Sequence, residues 1–172
     1  KTVIFLGGSQ GAKAINDLAL SVAKELKEMG IKIIHQAGEK DFERVKNEYE
    51  NLGVEAEIYG FTKEMSYLMS RADLAISRSG ASTLWELCAY GLPALFIPFP
   101  YAASDHQYYN AKFIVDNDLG WCEREGCDLK SILISILGQN LEGKSKSLLE
   151  HSSRDVAKKM IRDAVNERFN NA

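Results

Sequence analysis

The sequence is poor in the features that mark membrane, secreted and nucleic-acid-binding proteins. Its longest strongly apolar run, LPALFIPFP at residues 92–100, contains all three prolines of the chain and is far shorter than the roughly 20 residues of a membrane-spanning helix. A strand pattern follows Lys1 directly, so we expect no secretory leader. The 21 Lys and Arg residues are scattered and the net charge is only −3, which argues against a nucleic-acid partner.

Cysteine is scarce as well. Cys88, Cys122 and Cys127 are odd in number and form no C-x-x-C pair. We therefore predict neither disulfides nor a zinc site, and we expect a reducing, cytoplasmic setting with no metal and no cofactor. At 172 residues and 45% hydrophobic content, the chain is long enough for one well-filled core and short for two.

What the sequence does contain is an alternation of short apolar runs with longer segments of helical period. This pattern predicts β-α units around a buried parallel sheet. Strands are predicted at residues 2–6, 32–36, 56–59, 74–77, 94–97 and 120–123, and helices at 12–29, 39–51, 63–71, 82–90 and 105–117. The charged stretch 129–169 is predicted to form two or three more helices. The predicted fold class is α/β, a Rossmann-like open parallel sheet flanked by helices.

Four unusual loops follow predicted strands. They read GGSQGA, GFTKEM, SRSGAST and PFPYAASDHQ, after the first, third, fourth and fifth strands. Ligands of open α/β sheets bind beyond the carboxyl ends of the strands. The four loops therefore predict one shared binding site at that rim.

The first loop is rich in glycine. Gly7, Gly8 and Gly11 allow the backbone to approach a ligand closely, and the helix that follows presents unpaired N–H groups and a positive dipole end. The loop is therefore a candidate anion cradle, and a tight βα turn without a ligand is the alternative.

The sequence of this loop does not match two common nucleotide-binding motifs. A dinucleotide fingerprint needs G-x-G-x-x-G, but Leu6 stands two positions before Gly8, and the second strand ends in HQ rather than in an acidic residue. An ATPase loop needs a Lys followed by Ser or Thr, but Gly11 is followed by AKA. Neither NAD binding nor ATP hydrolysis is predicted.

The loop after the fourth strand opens a helix. Its free N–H groups, helped by the hydroxyls of Ser82 and Thr83, can receive a phosphate. Glu86 lies one turn further along, where its two oxygens can accept hydrogen bonds from the vicinal hydroxyls of a ribose. The alternative is that Thr83 and Glu86 form a capping box, which needs no ligand.

The stretch SDHQYYNA at residues 104–111 begins the helix after the proline-rich loop. Asp105, His106 and Gln107 bring together donors and acceptors that suit the hydroxyls of a sugar. Alternatively, Asp105 is a helix cap and His106 is solvated.

Together these motifs resemble the C-terminal domain of the MurG family of bacterial peptidoglycan glycosyltransferases. The resemblance rests on GGSQGA, GF-x-x-x-M, SRSGAST-x-x-E followed by GLPALFIPFP, and DHQ-x-x-NA, in this order over about residues 2–120. It implies the C-terminal half of a GT-B enzyme that transfers N-acetylglucosamine (GlcNAc) from UDP-GlcNAc to lipid I, giving lipid II.

The resemblance also implies a role for each loop. The third-strand loop would receive the uracil, with the Thr62 backbone reading the base edge, and Glu86 would hold the ribose. The start of the fourth-strand helix would bind the diphosphate, and His106 and Gln107 would hold the GlcNAc hydroxyls. The implied donor-binding residues are Gly8, Ser9, Gln10, Gly11, Phe61, Thr62, Met65, Ser79, Gly80, Ala81, Ser82, Thr83, Glu86, His106 and Gln107.

Members of this family have two Rossmann-like domains, and the resemblance places the first residue of this chain at the start of the second. Residues 1–150 would form the UDP-sugar-binding domain, and residues 151–172 a helix that packs toward the first domain. The lipid I site, any general base and the contact with the cytoplasmic face of the inner membrane would then belong to the first domain. We expect this chain alone to bind the donor without efficient transfer.

The implied reaction is an inverting displacement without a metal, in which the acceptor 4-hydroxyl attacks the anomeric carbon while UDP leaves. The residues leave two alternatives open. One is a UDP-GlcNAc 2-epimerase-like domain, which would need acid–base carboxylates at the rim. The other is a non-catalytic nucleotide-sugar-binding subunit that acts with a partner.

Overall fold

The fold is built on a six-stranded, fully parallel sheet. A computed structural model describes residues 1–8 and 12–151, and the strand order is β3-β2-β1-β4-β5-β6. The strands are β1 (Thr2–Leu6), β2 (Lys32–Gln36), β3 (Glu57–Tyr59), β4 (Leu74–Ser77), β5 (Ala94–Phe96) and β6 (Trp121–Cys122). The order reverses between β1 and β4, as expected for a doubly wound sheet.

Seven helices connect and cover these strands within the described residues. They are α1 (Lys13–Glu28), α2 (Phe42–Leu52), α3 (Met65–Ser70), α4 (Ala81–Ala89), α5 (His106–Asp116), α6 (Leu129–Leu137) and α7 (Leu141–His151). A short 3-10 turn, Ala103–Asp105, precedes α5. None of these helices combines the length and the apolar character that crossing a bilayer would require.

Alternating residues of the strands face two separate cores. Val3 and Phe5 of β1 pack in one core with α1, α2 and α6. Ile4 and Leu6 pack in the other with α3, α4, α5 and Leu148 of α7. Because both faces of the sheet are covered, its strands read as nearly continuous apolar runs, which is why the strands could be located from the sequence.

Local signals end several elements where the sequence indicates. Gly30, Gly53 and Gly91 follow α1, α2 and α4 and adopt left-handed backbone with φ of 68°, 65° and 60°, which favours glycine. At the other end, Asp128 caps α6 by accepting a hydrogen bond from the Ser131 N–H at 3.1 Å. These signals place helix boundaries without reference to the rest of the fold.

The predicted fold class is confirmed. The bounds of β1, β2 and β4 agree with the sequence, while β3, β5 and β6 are shorter than predicted by one or two residues. Residues 129–151 form two helices separated at 138–140, as expected. The predicted helix at 151–172 lies, apart from His151, outside the described residues.

Candidate functional site

The carboxyl ends of β1 and β4 form a crevice, because β1 continues into α1 on one face of the sheet and β4 into α4 on the other. A cavity of about 480 Å³ lies at this edge. Its lining includes Gly7, Ala12, Lys13, Ala14, Arg78, Phe99, Pro100, Tyr101, Gln107 and Glu125. Two cavities of about 750 and 550 Å³ lie at the opposite edge, where the strands begin, away from the predicted loops.

The first loop leaves β1 through two glycines with different constraints. A Cβ on Gly7 would meet the Gln36 carbonyl oxygen at 2.8 Å and Asn16 Oδ1 at 3.0 Å, so the packing of the fold requires this glycine. Gly8 has a φ of 70° and open space around it. Ser9, Gln10 and Gly11 lie outside the described residues, so their predicted contacts with a donor stay predictions.

A buried polar network supports this loop from below. The Tyr49 hydroxyl donates to His35 Nδ1 at 3.0 Å, and His35 Nε2 donates to Asn16 Oδ1 at 2.9 Å. Asn16 Nδ2 donates in turn to the Ala37 carbonyl at 3.0 Å and to Asp41 Oδ2 at 2.7 Å; these acceptors fix the direction of the whole chain of bonds. Burial lowers the pKa of His35 to about 3, so the imidazole is neutral and structural.

The network also affects its acidic member. Arg44 donates to both carboxylate oxygens of Asp41 at 2.7 and 2.6 Å. This hydrogen bonding lowers the pKa of Asp41 to about 2. Sequence reasoning missed the network, because its members come from α1, β2 and α2 and only the tertiary fold brings them together.

Helix α4 begins at an open group of backbone amides. Its N-cap is Gly80, and no side chain caps the helix. Ala81 and Ser82 are exposed and Thr83 is half-buried. The first N–H groups of α4 are therefore free to bind an anion, and the positive end of the helix dipole favours one.

The position of this N-cap excludes the capping-box alternative for Glu86. A capping box needs the hydroxyl residue at the N-cap and the acid three residues later. Thr83 is instead the third residue of the helix. The Glu86 side chain is exposed, and within the described part of the chain no hydrogen bond or ion pair reaches it. Its carboxylate is available to a ligand.

Ser79 connects this loop to α5. Its side chain is fully buried, and its hydroxyl donates to the Gln107 carbonyl at 2.7 Å. Asn110 Nδ2 donates to the Ser79 carbonyl at 3.0 Å. The Ser79 hydroxyl therefore holds the loop before α4 against the first turns of α5. Because the whole residue is buried, its predicted contact with a ligand stays a prediction.

His106 and Gln107 present opposite hydrogen-bonding characters. His106 Nδ1 donates to the Ala103 carbonyl at 2.9 Å, and in the tautomer with a single proton on Nδ1 the exposed ring presents Nε2 as an acceptor. Gln107 Oε1 accepts from the Phe99 N–H at 3.0 Å, which leaves the amide NH₂ as a donor. The two side chains can therefore bind two hydroxyls, one that donates and one that accepts.

The loop after β3 offers backbone groups and an aromatic ring. Phe61 is 55% exposed. The Thr62 hydroxyl accepts from the Glu64 N–H at 3.0 Å, whereas neither backbone polar group of Thr62 is hydrogen-bonded within the described residues. Met65, the first residue of α3, packs against the core. This arrangement suits a flat base read by main-chain groups, with Met65 supporting the loop from inside.

Arg78 is a residue of the site that sequence reasoning missed. It follows β4 directly and lines the cavity. Its guanidinium donates to the Ile97 and Pro98 carbonyls at 3.0 and 3.1 Å and pairs with Glu125 at 2.5 Å. The signal in the sequence that could have identified Arg78 is a positive charge at the carboxyl end of a central strand. The structure shows that this charge braces the β5 loop.

No metal site is found in the described part of the chain, where no cluster of three His, Cys, Asp or Glu side chains is arranged to hold an ion. The sequence does contain one Asp-x-Asp motif, at residues 116–118. Asp116 pairs with Lys112 at 2.7 Å, and Asp118 pairs with Lys144. Both carboxylates lie at the C-terminal end of α5 and are paired with lysines. This motif therefore forms surface ion pairs rather than a metal site.

Comparison with known proteins decides the family. The model of the glycosyltransferase family 28 C-terminal domain matches residues 2–167. This chain belongs to that family. Residues 7–11 match the pattern G-x-S-x-G, which in some hydrolases carries the nucleophilic serine. In this chain the pattern is part of a family 28 glycosyltransferase domain.

Relatives within family 28 are considerably longer than this chain. A protein of Sulfurimonas denitrificans is 76% identical over 165 residues, which cover 96% of this chain and 48% of the relative. A protein of Sulfurovum sp. is 58% identical over 93% of this chain and 47% of its own length. Both are named UDP-N-acetylglucosamine--N-acetylmuramyl-(pentapeptide) pyrophosphoryl-undecaprenol N-acetylglucosamine transferase. The chain therefore spans about half the length of these relatives.

A solved structure agrees with this assignment. The crystal structure of Acinetobacter baumannii MurG matches with a TM-score of 0.77 and 28% identity, over 89% of this chain and 45% of that one. CalG4, the calicheamicin glycosyltransferase, has the same fold at 12% identity and a TM-score of 0.64, over 99% of this chain and 43% of its own. The resemblance drawn from the motifs is confirmed at the level of family and fold.

Proposed function

We propose that this chain is the donor-binding half of an inverting glycosyltransferase that transfers GlcNAc from UDP-GlcNAc to lipid I and forms lipid II. One observation carries the proposal most directly. The start of α4 lies at the switch point of the sheet and has no side-chain cap among residues 1–8 and 12–151. The Glu86 carboxylate, which has no partner within the same residues, follows one turn later. The printed names of the relatives, which specify transfer of GlcNAc to a pyrophosphoryl-undecaprenol acceptor, support the same reaction.

The donor would lie along the rim with each part against a chemically matching group. Uracil would stack near Phe61 and bond to the free backbone groups of Thr62, while Glu86 accepts from both ribose hydroxyls. The diphosphate would lie on the amides of residues 81–83, and the sugar would meet His106 and Gln107. Ser9, Gln10 and Gly11 are proposed to face the diphosphate from the side of β1.

Departure of UDP is the step that this half can assist. Negative charge grows on the diphosphate as the anomeric bond breaks, and preorganised amides at a helix start stabilise that charge without reorganisation. By analogy with oxyanion holes, each such donor contributes about 3–4 kcal/mol. This scheme needs no metal, because the main-chain N–H groups and the positive end of the helix dipole stabilise the charge on the diphosphate.

The acceptor functions are proposed to lie in the half of the relatives that this chain does not cover. The acceptor is a lipid, so the full-length enzyme would act as a peripheral protein at the cytoplasmic face of the inner membrane. Residues 151–172 are proposed to pack toward that other half. The general base would lie there too, and the 172-residue chain alone would bind UDP-GlcNAc without efficient transfer.

Calorimetric titration of the chain with UDP-GlcNAc, UDP and ADP tests this function. We expect binding of both uridine ligands and weak or no binding of ADP, because the Thr62 backbone is proposed to read the edge of the uracil. Preference for ADP, or no uridine binding, would contradict the proposal.

Assays with added lipid I distinguish the proposed reaction from its alternatives. The family 28 match favours transfer over epimerisation. Recovery of transfer only with the half that the relatives carry in addition would support the proposal. Release of 2-epimerised sugar by the chain would support the epimerase instead.

A further inference from the structure

We propose that Arg124 is a positioning residue for the sugar end of the site, acting through the strained turn that leads into α5. The inference rests on the proposed function, because it concerns the place where His106 and Gln107 would hold the donor sugar. Arg124 belongs to the loop between β6 and α6, which carries none of the residues predicted from the sequence motifs.

The turn before α5 has an unfavourable backbone. Ser104 and Asp105 are consecutive and both left-handed, with φ of 51° and 54°. Among the described residues only one other non-glycine residue, Asp118, has a positive φ. Left-handed backbone is unfavourable for residues with a Cβ and persists only where the surroundings hold it in place.

Arg124 supplies such a restraint. Its two terminal nitrogens donate to the two oxygens of Asp105, at 3.3 and 2.6 Å. Its guanidinium carbon lies 4.3 Å from the ring centroid of Tyr108, one turn into α5. Arg124 therefore contacts the helix on both sides of His106 and Gln107.

The loop that carries Arg124 is itself anchored. The Glu123 N–H donates to the Phe96 carbonyl at 3.0 Å, which ties the loop to β5. Glu125 pairs with Arg78 at 2.5 Å, at the end of β4. With Arg124 held between these two ties, its ion pair connects the left-handed turn to the rigid sheet.

A shift of the turn would first change the contacts proposed for the donor sugar. His106 follows Asp105 directly, and its ring is oriented by the Ala103 carbonyl on the other side of the turn. The start of α4 has its own ties to α5, from Ser79 to Gln107 and Asn110, which lie beyond the left-handed turn. Loss of Arg124 should therefore weaken recognition of the sugar and leave recognition of UDP unchanged.

Binding of UDP-GlcNAc and of UDP to Arg124→Ala measures this difference. We expect the Kd for UDP-GlcNAc to rise roughly 3- to 10-fold, as when a partly exposed bidentate ion pair and a cation–π contact are lost, with the Kd for UDP within about twofold of wild type. Arg71→Ala is the matched control. Arg71 also pairs with a carboxylate, that of Glu57, and lies 5.3 Å from the Tyr67 ring, but at the opposite edge of the sheet.

Two variants of Asp105 test the mechanism. Asp105→Ala and Asp105→Gly both remove the ion pair, but only glycine tolerates the left-handed backbone. We expect the alanine variant to behave like Arg124→Ala and the glycine variant to stay close to wild type. Equal losses in both variants would overturn the proposal, and so would an unchanged or equally weakened pair of Kd values for Arg124→Ala.

Hydrogen exchange of the backbone amides at 103–107 in the unliganded chain provides a readout that needs no donor. We expect faster exchange in Arg124→Ala and Asp105→Ala and wild-type exchange in Arg71→Ala. Unchanged exchange in Arg124→Ala would contradict the positioning role. Failure of the wild-type chain to bind any uridine ligand would instead contradict the proposed function, so the two failures are distinguishable.

Discussion

At the scale of single residues, the same local sequence pattern can stabilise the fold or bind a ligand. The contacts of each side chain show which of these two roles is possible. Thr83 and Glu86 have the spacing of a capping box, yet the N-cap is Gly80. Ser79 stands in the middle of the predicted phosphate loop, yet its hydroxyl binds the Gln107 carbonyl. Glu86 is thus the residue whose removal should affect a ligand most and the fold least.

Glu86→Ala should weaken UDP binding by roughly 1–3 kcal/mol, because it removes a charged acceptor from the ribose hydroxyls. The helix content and melting temperature should stay unchanged, since Glu86 caps nothing. Calorimetry together with circular dichroism checks both. Glu28→Ala, which changes an exposed glutamate in the last turn of α1, is the control; a loss of helix content in Glu86→Ala alone would contradict the assignment.

Two glycines of the rim should respond differently to substitution by alanine. In Gly7→Ala the new Cβ would meet the Gln36 carbonyl at 2.8 Å, so we expect destabilisation by about 1–3 kcal/mol. Gly80 has ordinary backbone angles and no atom within 4 Å of such a Cβ.

Gly80→Ala should therefore change the free energy of unfolding by less than about 1 kcal/mol, because the lower entropy of the unfolded chain favours alanine while the N-cap position favours glycine. It should crowd the diphosphate and weaken UDP binding roughly fivefold, or about 1 kcal/mol. Thermal unfolding and UDP titration of both variants test the contrast. Wild-type UDP affinity in Gly80→Ala would place the ligand elsewhere.

At the scale of elements, the start of α4 leaves its first N–H groups open, as the starts of α1, α3 and α5 also do. The helix has no side-chain cap and no acidic residue in its first turn, although either would stabilise an isolated helix. By contrast, α6 begins with Asp128 as its cap, and the pKa of Asp128 is lowered by its hydrogen bonds to Ser131. An open helix start such as that of α4 can receive negative charge from a bound diphosphate.

Ser82→Asp tests this interpretation of α4. An aspartate in the first turn should stabilise the helix by about 0.3–1 kcal/mol through the dipole. The same charge should repel a diphosphate and weaken UDP binding by about tenfold, or about 1.4 kcal/mol. Ser82→Asn, which adds no charge, is the control; UDP binding that is unaffected by the aspartate would contradict a diphosphate at this helix start.

At the scale of the whole molecule, the buried network around His35 links the pH dependence of stability to the first loop. Burial holds the pKa of His35 near 3 in the fold, against about 6.5 in the unfolded chain. Below pH 6.5 the unfolded state therefore binds a proton that the folded state does not, and stability falls as the pH falls.

The free energy of unfolding should drop by about 2 kcal/mol between pH 7.5 and pH 5 because of His35. Asp41 does not contribute to this drop, because its pKa is lowered from 3.8 to about 2, and its stabilisation is lost only as the pH falls through that lower range. Urea unfolding across the pH range measures the drop. It should disappear in His35→Gln and persist in His151→Gln, which changes an exposed histidine on α7.

The sequence by itself determined the fold class and most of the strand positions, because a parallel sheet buried on both faces needs continuous apolar runs that are visible in one dimension. It also determined that the unusual loops meet at one rim, since each follows a parallel strand. The exact helix starts were less accessible. Helix α4 begins one residue earlier than predicted, and its N-cap, Gly80, lies three residues before Thr83.

Only the tertiary structure decided which polar groups are free and which are engaged. His35, Asn16 and Tyr49 are far apart in the chain and form one hydrogen-bonded unit, and Arg124 reaches Asp105 across 19 positions. No local pattern encodes such pairs, because they depend on the order of the strands and on how the helices pack over them. The motifs thus predict a chemistry for the rim, which stays a prediction, whereas the contacts that position its residues required the fold.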